Sequence, residues 1–247
     1  AVVAVVFAMS AHAVHVESIV VDPLYSNTAR ESITYITNRM VAEGIESASI
    51  ALVDSNRVAW YGCFGYENKE LGVPVTTSTV FRIGSVSKVF TAFAALQLCD
   101  QGALSLTTTV RACLPGFSVL PRTNYPSSDT ITVQHLVGYH SGLPGDLYRL
   151  GDTTIPFDGY ATQMLCYFPT TYPLYPPDTV NSYCNAGFSL THCIVGAMNT
   201  GGVSFVTYAD QHIFAPLGME STSYVFDKPA ITNHLVVGYI NGVAMPP

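Results

Sequence analysis

Charge is scarce in this chain. Only 11% of its 247 residues are Asp, Glu, Lys or Arg, and 10 bases face 17 acids, for a net charge of −7. No basic cluster occurs anywhere, which sets nucleic acid aside as a partner. The six cysteines (63, 99, 113, 166, 184 and 193) never stand in C-x-x-C spacing, so neither a zinc site nor a dithiol redox motif is indicated. The seven histidines form no metal signature: His135 and His140 are five apart, on different faces of any helix that holds both. No cofactor is implied. The one long apolar run, "AVVAVVFAMSAHA", is too short to span a bilayer as a helix.

What is present is a globular composition, 49% hydrophobic and rich in tyrosine and phenylalanine, and long enough for a sizeable core. The opening run ends in Ala11-His12-Ala13, an A-x-A pattern. Residues 1–13 therefore read as the apolar region and cleavage site of a secretory leader, with a secreted or periplasmic protein as the expectation; a buried strand is the other reading. Export would permit disulfides, although most of the cysteines read as small buried hydrophobes.

Ala29, Ile33, Ile36 and Met40 fall at helical spacing before Gly44, which predicts a helix over 28–43 with a glycine stop. "SASIALVDSN" and "RVAWYGCFGY" read as two strands joined at Ser55-Asn56. Residues 85–100 form a strongly apolar helix ending near Gln101-Gly102, expected to be buried. From 106 to 200 proline and glycine punctuate short helical patches such as "TVQHLVGY", and a further helix covers 203–214. The order, helix then strands then a long helical excursion and a return, predicts an α+β fold: an antiparallel sheet flanked by helices, with an inserted, mainly helical lobe. The sheet part is placed at 28–84 and 203–247 and the lobe at 85–202, within one domain over 14–247. Two strands make a poor sheet, so further strands are expected after the lobe.

Within "FRIGSVSKVFTAFAAL", Ser85 and Lys88 stand three apart at the head of the apolar helix. That spacing places an amine beside a hydroxyl on one face, and a helix start also points free N–H groups at any anion formed there. A hydroxyl, a proton acceptor and positive potential are the needs of nucleophilic acyl transfer. Gly84 leaves the backbone open to close approach. A lysine in the first turn of an apolar helix costs desolvation unless it has a partner. The S-x-x-K spacing alone arises readily by chance in a serine-rich chain, so a second motif has to decide.

That motif is Tyr183-Cys184-Asn185, in "DTVNSYCNAGFSL". With "WYGCFGYENKELGVPVTTSTVFRIGSVSKVFTAFAALQLCDQGALSL", "VQHLVGYHSGLPGD" and "IFAPLGMESTSY", it resembles the serine β-lactamase and penicillin-binding-protein superfamily. The branch it looks most like holds class C β-lactamases, D-alanyl-D-alanine peptidases and β-lactamase-like esterases. The resemblance runs from about residue 30 to 226. It implies that Ser85 is the acylated nucleophile, Lys88 its proton partner and Tyr183 a general base or acid, with Asn185 hydrogen-bonding the substrate's amide side chain and steadying the lysine. An ordinary tyrosine, with a pKa of about 10, is too weakly acidic to serve as a base at neutral pH, and a neighbouring ammonium corrects this. "HSGLPGD", residues 140–146, is read as structural, since Gly-Pro turns are mainly punctuation.

The family's third motif, Lys-Thr-Gly or His-x-Gly on a late strand, has no match: no K-[ST]-G occurs. The expectation is a C-terminally truncated piece of a longer protein, short of its late strands and of one oxyanion donor. The implied activity is that of a serine hydrolase acting through an acyl-serine on a small-molecule or peptide substrate: a β-lactam, a D-amino-acid peptide or a small carboxylic ester. No class A S-D-N motif occurs. The alternative is an inactive binding or structural protein that keeps the fold. Nothing in the sequence sets an oligomeric state.

Overall fold

The computed structural model describes residues 3–7, 14–125, 128–145, 165–240 and 243–245. Ala11, His12, Ala13 and Asp146 lie outside the described residues. The architecture is α+β, with an antiparallel sheet and a mainly helical lobe inserted in the chain. It divides into two units, Ala1–Arg82 with Phe226–Pro247, and Ile83–Val225.

The first unit is built on β1 (Val3–Phe7), β2 (Val16–Val20), α1 (Ser26–Glu43), β3 (Ser47–Asp54), β4 (Arg57–Asn68) and the short β5 (Val73–Pro74). The strands run β1-β2-β4-β3, every pair antiparallel, and β5 pairs with the end of β4. Ser55 and Asn56 take φ of 49° and 62°, the left-handed pair that a two-residue hairpin needs to match the twist of its strands. Gly44 ends α1 at φ 65°, its N–H returning to the Met40 carbonyl, a conformation glycine adopts without steric cost. Ala29 and Met40 of α1 are buried with Val16, Trp60 and Phe64, and Ile33 and Ile36 pack beside them. The buried Trp60 indole is satisfied by donating to Ser18 Oγ at 2.8 Å.

Two of the strands that complete this sheet come before the helix rather than after the lobe. β2 pairs with β4, Val16 opposite Phe64 and Val20 opposite Trp60. β1, in the stretch read as a leader, pairs with β2. Five residues of V-E-S-I-V give too short an alternation to announce a strand without its partner. Among the described residues after Phe226, Tyr239–Ile240 (β6) pairs with Val243–Ala244 (β7), and the segment is held by Val80, which exchanges backbone bonds of 2.8 and 2.9 Å with His234 and Val236.

The second unit holds a 3-10 turn at Gly84–Val86, α2 (Ser87–Asp100), α3 (Val110–Cys113), α4 (Val133–Val137), α5 (Asn185–Met198) and α6 (Phe205–Ala209), the last continuing as a π-helical turn over Asp210–Phe214. Its core gathers Leu98, Phe117, Leu136, Leu190, Ile194, Phe205 and Ile213. The Asn199 amide closes α5, donating to the Val195 and Val203 carbonyls and accepting from the Val203 N–H. The lobe extends past the expected limit of 202, because Phe205, Tyr208, Ala209, Ile213 and Phe214 are buried in this core. α2 is buried on one side only: Ala94, Ala95 and Leu98 are sequestered, while Val89, Phe93 and Leu96 are exposed. Apolar composition all round a helix does not say how many of its faces find partners. Burial pushes the Cys113 thiol up to about 11 and the Cys193 thiol up to about 12, leaving both inert. Among the described residues no helix is long and apolar enough to cross a membrane.

Candidate active site

Ser85 lies in the 3-10 turn, two residues before α2 begins, and Lys88 is the second residue of α2. The turn is entered through Gly84 at φ 52°, where an added Cβ would meet nothing within 4 Å. Glycine is needed there for its backbone conformation. Ser85 is exposed and Lys88 half-buried.

Tyr183, 98 residues from Ser85, closes the group. Its hydroxyl donates to Ser85 Oγ at 2.6 Å. Lys88 Nζ donates to Ser85 Oγ at 3.0 Å and to the Tyr183 oxygen at 2.6 Å. Three polar atoms thus form a closed triangle. The ammonium also lies 4.8 Å from the Tyr183 ring centroid and 5.9 Å from that of Phe188, within range of cation–π attraction. The structure brings Ser85, Lys88 and Tyr183 together. Asn185 is the exposed first residue of α5, its N–H bonded to the Gly145 carbonyl at 2.8 Å.

Tyr183 is placed by backbone rather than by its own helix. The loop over 138–145 presents carbonyls to the strip 181–186: Gly138 accepts from the Asn181 amide, Tyr139 from the Ser182 N–H, Pro144 from the Cys184 thiol and Gly145 from the Asn185 N–H. Cys184 in turn caps α5, its sulfur accepting from Gly187 N–H at 3.1 Å. Close approach is possible because residues 142 and 145 lack a Cβ. One at Gly142 would lie 1.9 Å from the Tyr175 carbonyl oxygen, and one at Gly145 2.8 Å from that of Tyr183. The "SGLPG" punctuation is therefore the cradle of the tyrosine motif. His135 accepts through Nδ1 from Thr132 N–H and caps α4.

A pocket of about 410 Å³ opens beside the triangle, lined by Ser85, Lys88, Val89, Ala92, Phe93, Leu96, Tyr139 and Phe188. Sequence reasoning missed Cys184 as a cap and Tyr139 and Phe188 as lining. No local pattern marks them.

Residues 33–236 match the family model Beta-lactamase, and the chain belongs to that family. It is 32% identical over 183 residues to penicillin-binding protein 4 of Amycolatopsis lactamdurans, an alignment covering 74% of this chain and 46% of that protein. A solved class C β-lactamase superposes with a TM-score of 0.76 at 22% identity, over 92% of this chain and 59% of that one. The β-lactamase/D-alanine carboxypeptidase of Pseudomonas syringae does so with a TM-score of 0.69 at 26% identity, over 87% and 56%. These likenesses support the serine β-lactamase and penicillin-binding-protein-like superfamily. The chain spans about half the length of the curated relatives it matches.

Proposed function

We propose that this chain carries the nucleophilic half-site of a serine hydrolase that works through an acyl-serine on an amide or ester. The observation behind this reading is the Ser85–Lys88–Tyr183 triangle, with every edge within hydrogen-bond distance. For attack, the Tyr183 phenol first releases its proton to solvent and the phenolate is held by the Lys88 ammonium; Ser85 Oγ then attacks the substrate carbonyl carbon while its own proton passes to the Tyr183 oxygen. The carbonyl oxygen takes the negative charge and faces the N–H groups of the helix start. Collapse expels the amine or alcohol, which recovers the proton from Tyr183. Water then attacks the acyl-serine by the same route in reverse. Asn185 is the candidate partner for the substrate's amide side chain.

The pocket lining supports a substrate with an apolar portion near the scissile bond, which all three candidate classes offer: β-lactams, D-amino-acid peptides and small carboxylic esters. Acyl transfer of this kind is served by two oxyanion donors. The second is expected from the family's late strand. Formation of the acyl-enzyme reports on Ser85 directly, whereas turnover also requires deacylation.

The test is the intact mass of the chain before and after incubation with a β-lactam and with an activated ester, alongside Ser85→Ala. An added acyl mass in the wild type and none in Ser85→Ala is the expected result, and the reagent that adds identifies the substrate class. No adduct on a folded chain with either reagent would sink the reading in favour of a non-catalytic binding protein.

A further inference from the structure

Tyr139 has a backbone conformation that its residue type does not explain. Its φ is +61°, in the left-handed region that glycine or asparagine occupies readily and a bulky side chain rarely does. The end of α4 accounts for the turn: His140 N–H returns to the His135 carbonyl at 2.9 Å and Tyr139 N–H to that of Leu136 at 3.3 Å, the left-handed close of a helix in which glycine is usual. What a tyrosine adds at that position is two contacts toward the tyrosine of the triangle. The Tyr139 carbonyl accepts from the N–H of Ser182, the neighbour of Tyr183, at 2.8 Å. Its ring stacks on the Tyr183 ring, centroids 5.1 Å apart and planes 28° from parallel, and meets Phe188 at 5.2 Å.

We infer that Tyr139 is a positioning residue for Tyr183: its ring fixes the plane of the Tyr183 ring, and so the aim of that hydroxyl at Ser85 and Lys88. Tyr183 needs such a brace because about half of its surface is exposed (49%). A half-exposed phenol on the strand-like entry to a helix has freedom about χ1 that three hydrogen-bonding atoms alone do not remove. Tyr139 covers one ring face, and Lys88 stands over the ring at 4.8 Å. The two stacked phenols do not compete as bases. Burial, and then the charge of Tyr183 when ionised, hold the Tyr139 phenol above the ordinary tyrosine range. The brace thus stays neutral while its partner exchanges protons. Its action requires the ring and not the hydroxyl, which separates it from a catalytic group.

This inference rests on the serine-hydrolase reading for its meaning, but its test does not. Three variants are compared: Tyr139→Phe keeps the ring, whereas Tyr139→Gly and Tyr139→Asn remove it and suit the left-handed backbone. Far-ultraviolet circular dichroism selects the folded ones. In protein labelled with ¹³C at tyrosine Cζ, the Tyr183 signal is identified by its loss in Tyr183→Phe. Its shift and titration midpoint are expected to stay in Tyr139→Phe and to move in both ring-less variants. Acylation of Ser85 by an activated ester is expected to fall roughly three- to tenfold in the ring-less variants, the size of an aromatic pair's contribution, and to be restored by phenylalanine. An unmoved Tyr183 signal in folded Tyr139→Gly and Tyr139→Asn overturns the inference, whatever the ester does. A signal that follows the ring while wild type forms no adduct keeps the brace and overturns the hydrolase reading instead.

Discussion

The sheet unit and the helical unit solve different problems. In the sheet unit the polar side chains that bond serve local satisfaction: Trp60 donates to Ser18, and Tyr25 donates to Asp54 at 2.9 Å. In the helical unit a neighbouring serine and lysine meet a tyrosine 98 residues from the serine in one triangle. The sheet unit owes its form to alternation and turn chemistry, which are short-range and forgiving. The helical unit owes its triangle to a loop whose carbonyls hold a tyrosine in place, which tolerates little displacement. Stability and chemistry should therefore respond to different substitutions.

The largest effect on stability is expected from Phe64→Ala. Phe64 is fully buried against α1, and its truncation should cost about 3–5 kcal/mol, read as a lower midpoint in urea, while acyl labelling of the protein that remains folded is kept. Loss of labelling in that folded fraction would break the division of labour.

Gly142→Ala should do the reverse. A Cβ there collides with the Tyr175 carbonyl at 1.9 Å and sits at φ 69°. The loop must shift, for about 1–3 kcal/mol of stability. Labelling of Ser85 should slow by roughly tenfold or more, since misplacement by about an ångström is enough to do so. A rate equal to wild type would show that the cradle does not aim Tyr183.

The smallest effect concerns acid. His192 stacks on Phe205 at 4.1 Å, and burial pushes its pKa down to about 4. The unfolded chain takes up that proton near pH 6.5, the folded chain only near pH 4. Between these values the unfolded state binds more protons, so stability from this group is present above about pH 6.5 and is lost as pH falls toward 4. With His192 only partly shielded from solvent, the loss should be on the order of 2 kcal/mol. His192→Leu should flatten the fall in melting temperature over that window. An unchanged acid limb would mean that carboxylates alone set it.

Much of the fold was legible from neighbouring residues. The i, i+3, i+4 spacing in α1 with Gly44 behind it, the left-handed Ser55-Asn56 turn and the Ser85–Lys88 spacing are local features that local physics decides. β2 was not legible, and β1 only as the second reading of the opening run, because a five-residue strand is specified by the partner it meets. The one-sided burial of α2 was not legible either, since an apolar helix does not record which faces pack. At the site, the roles of Ser85, Lys88 and Tyr183 came from motifs and resemblance, but the cradle over 138–145 read only as punctuation.

By itself, then, the sequence determined the fold class, the helices and the β3–β4 hairpin, and the candidate site residues Ser85, Lys88 and Tyr183, because helix and hairpin formation depend on residues a few positions apart. Tertiary structure alone decided that a phenol 98 residues away reaches within 2.6 Å of Ser85 Oγ, and that Tyr139 lies flat against it. Those contacts depend on how carbonyls and missing Cβ atoms let two loops approach, and no periodicity along the chain encodes that distance.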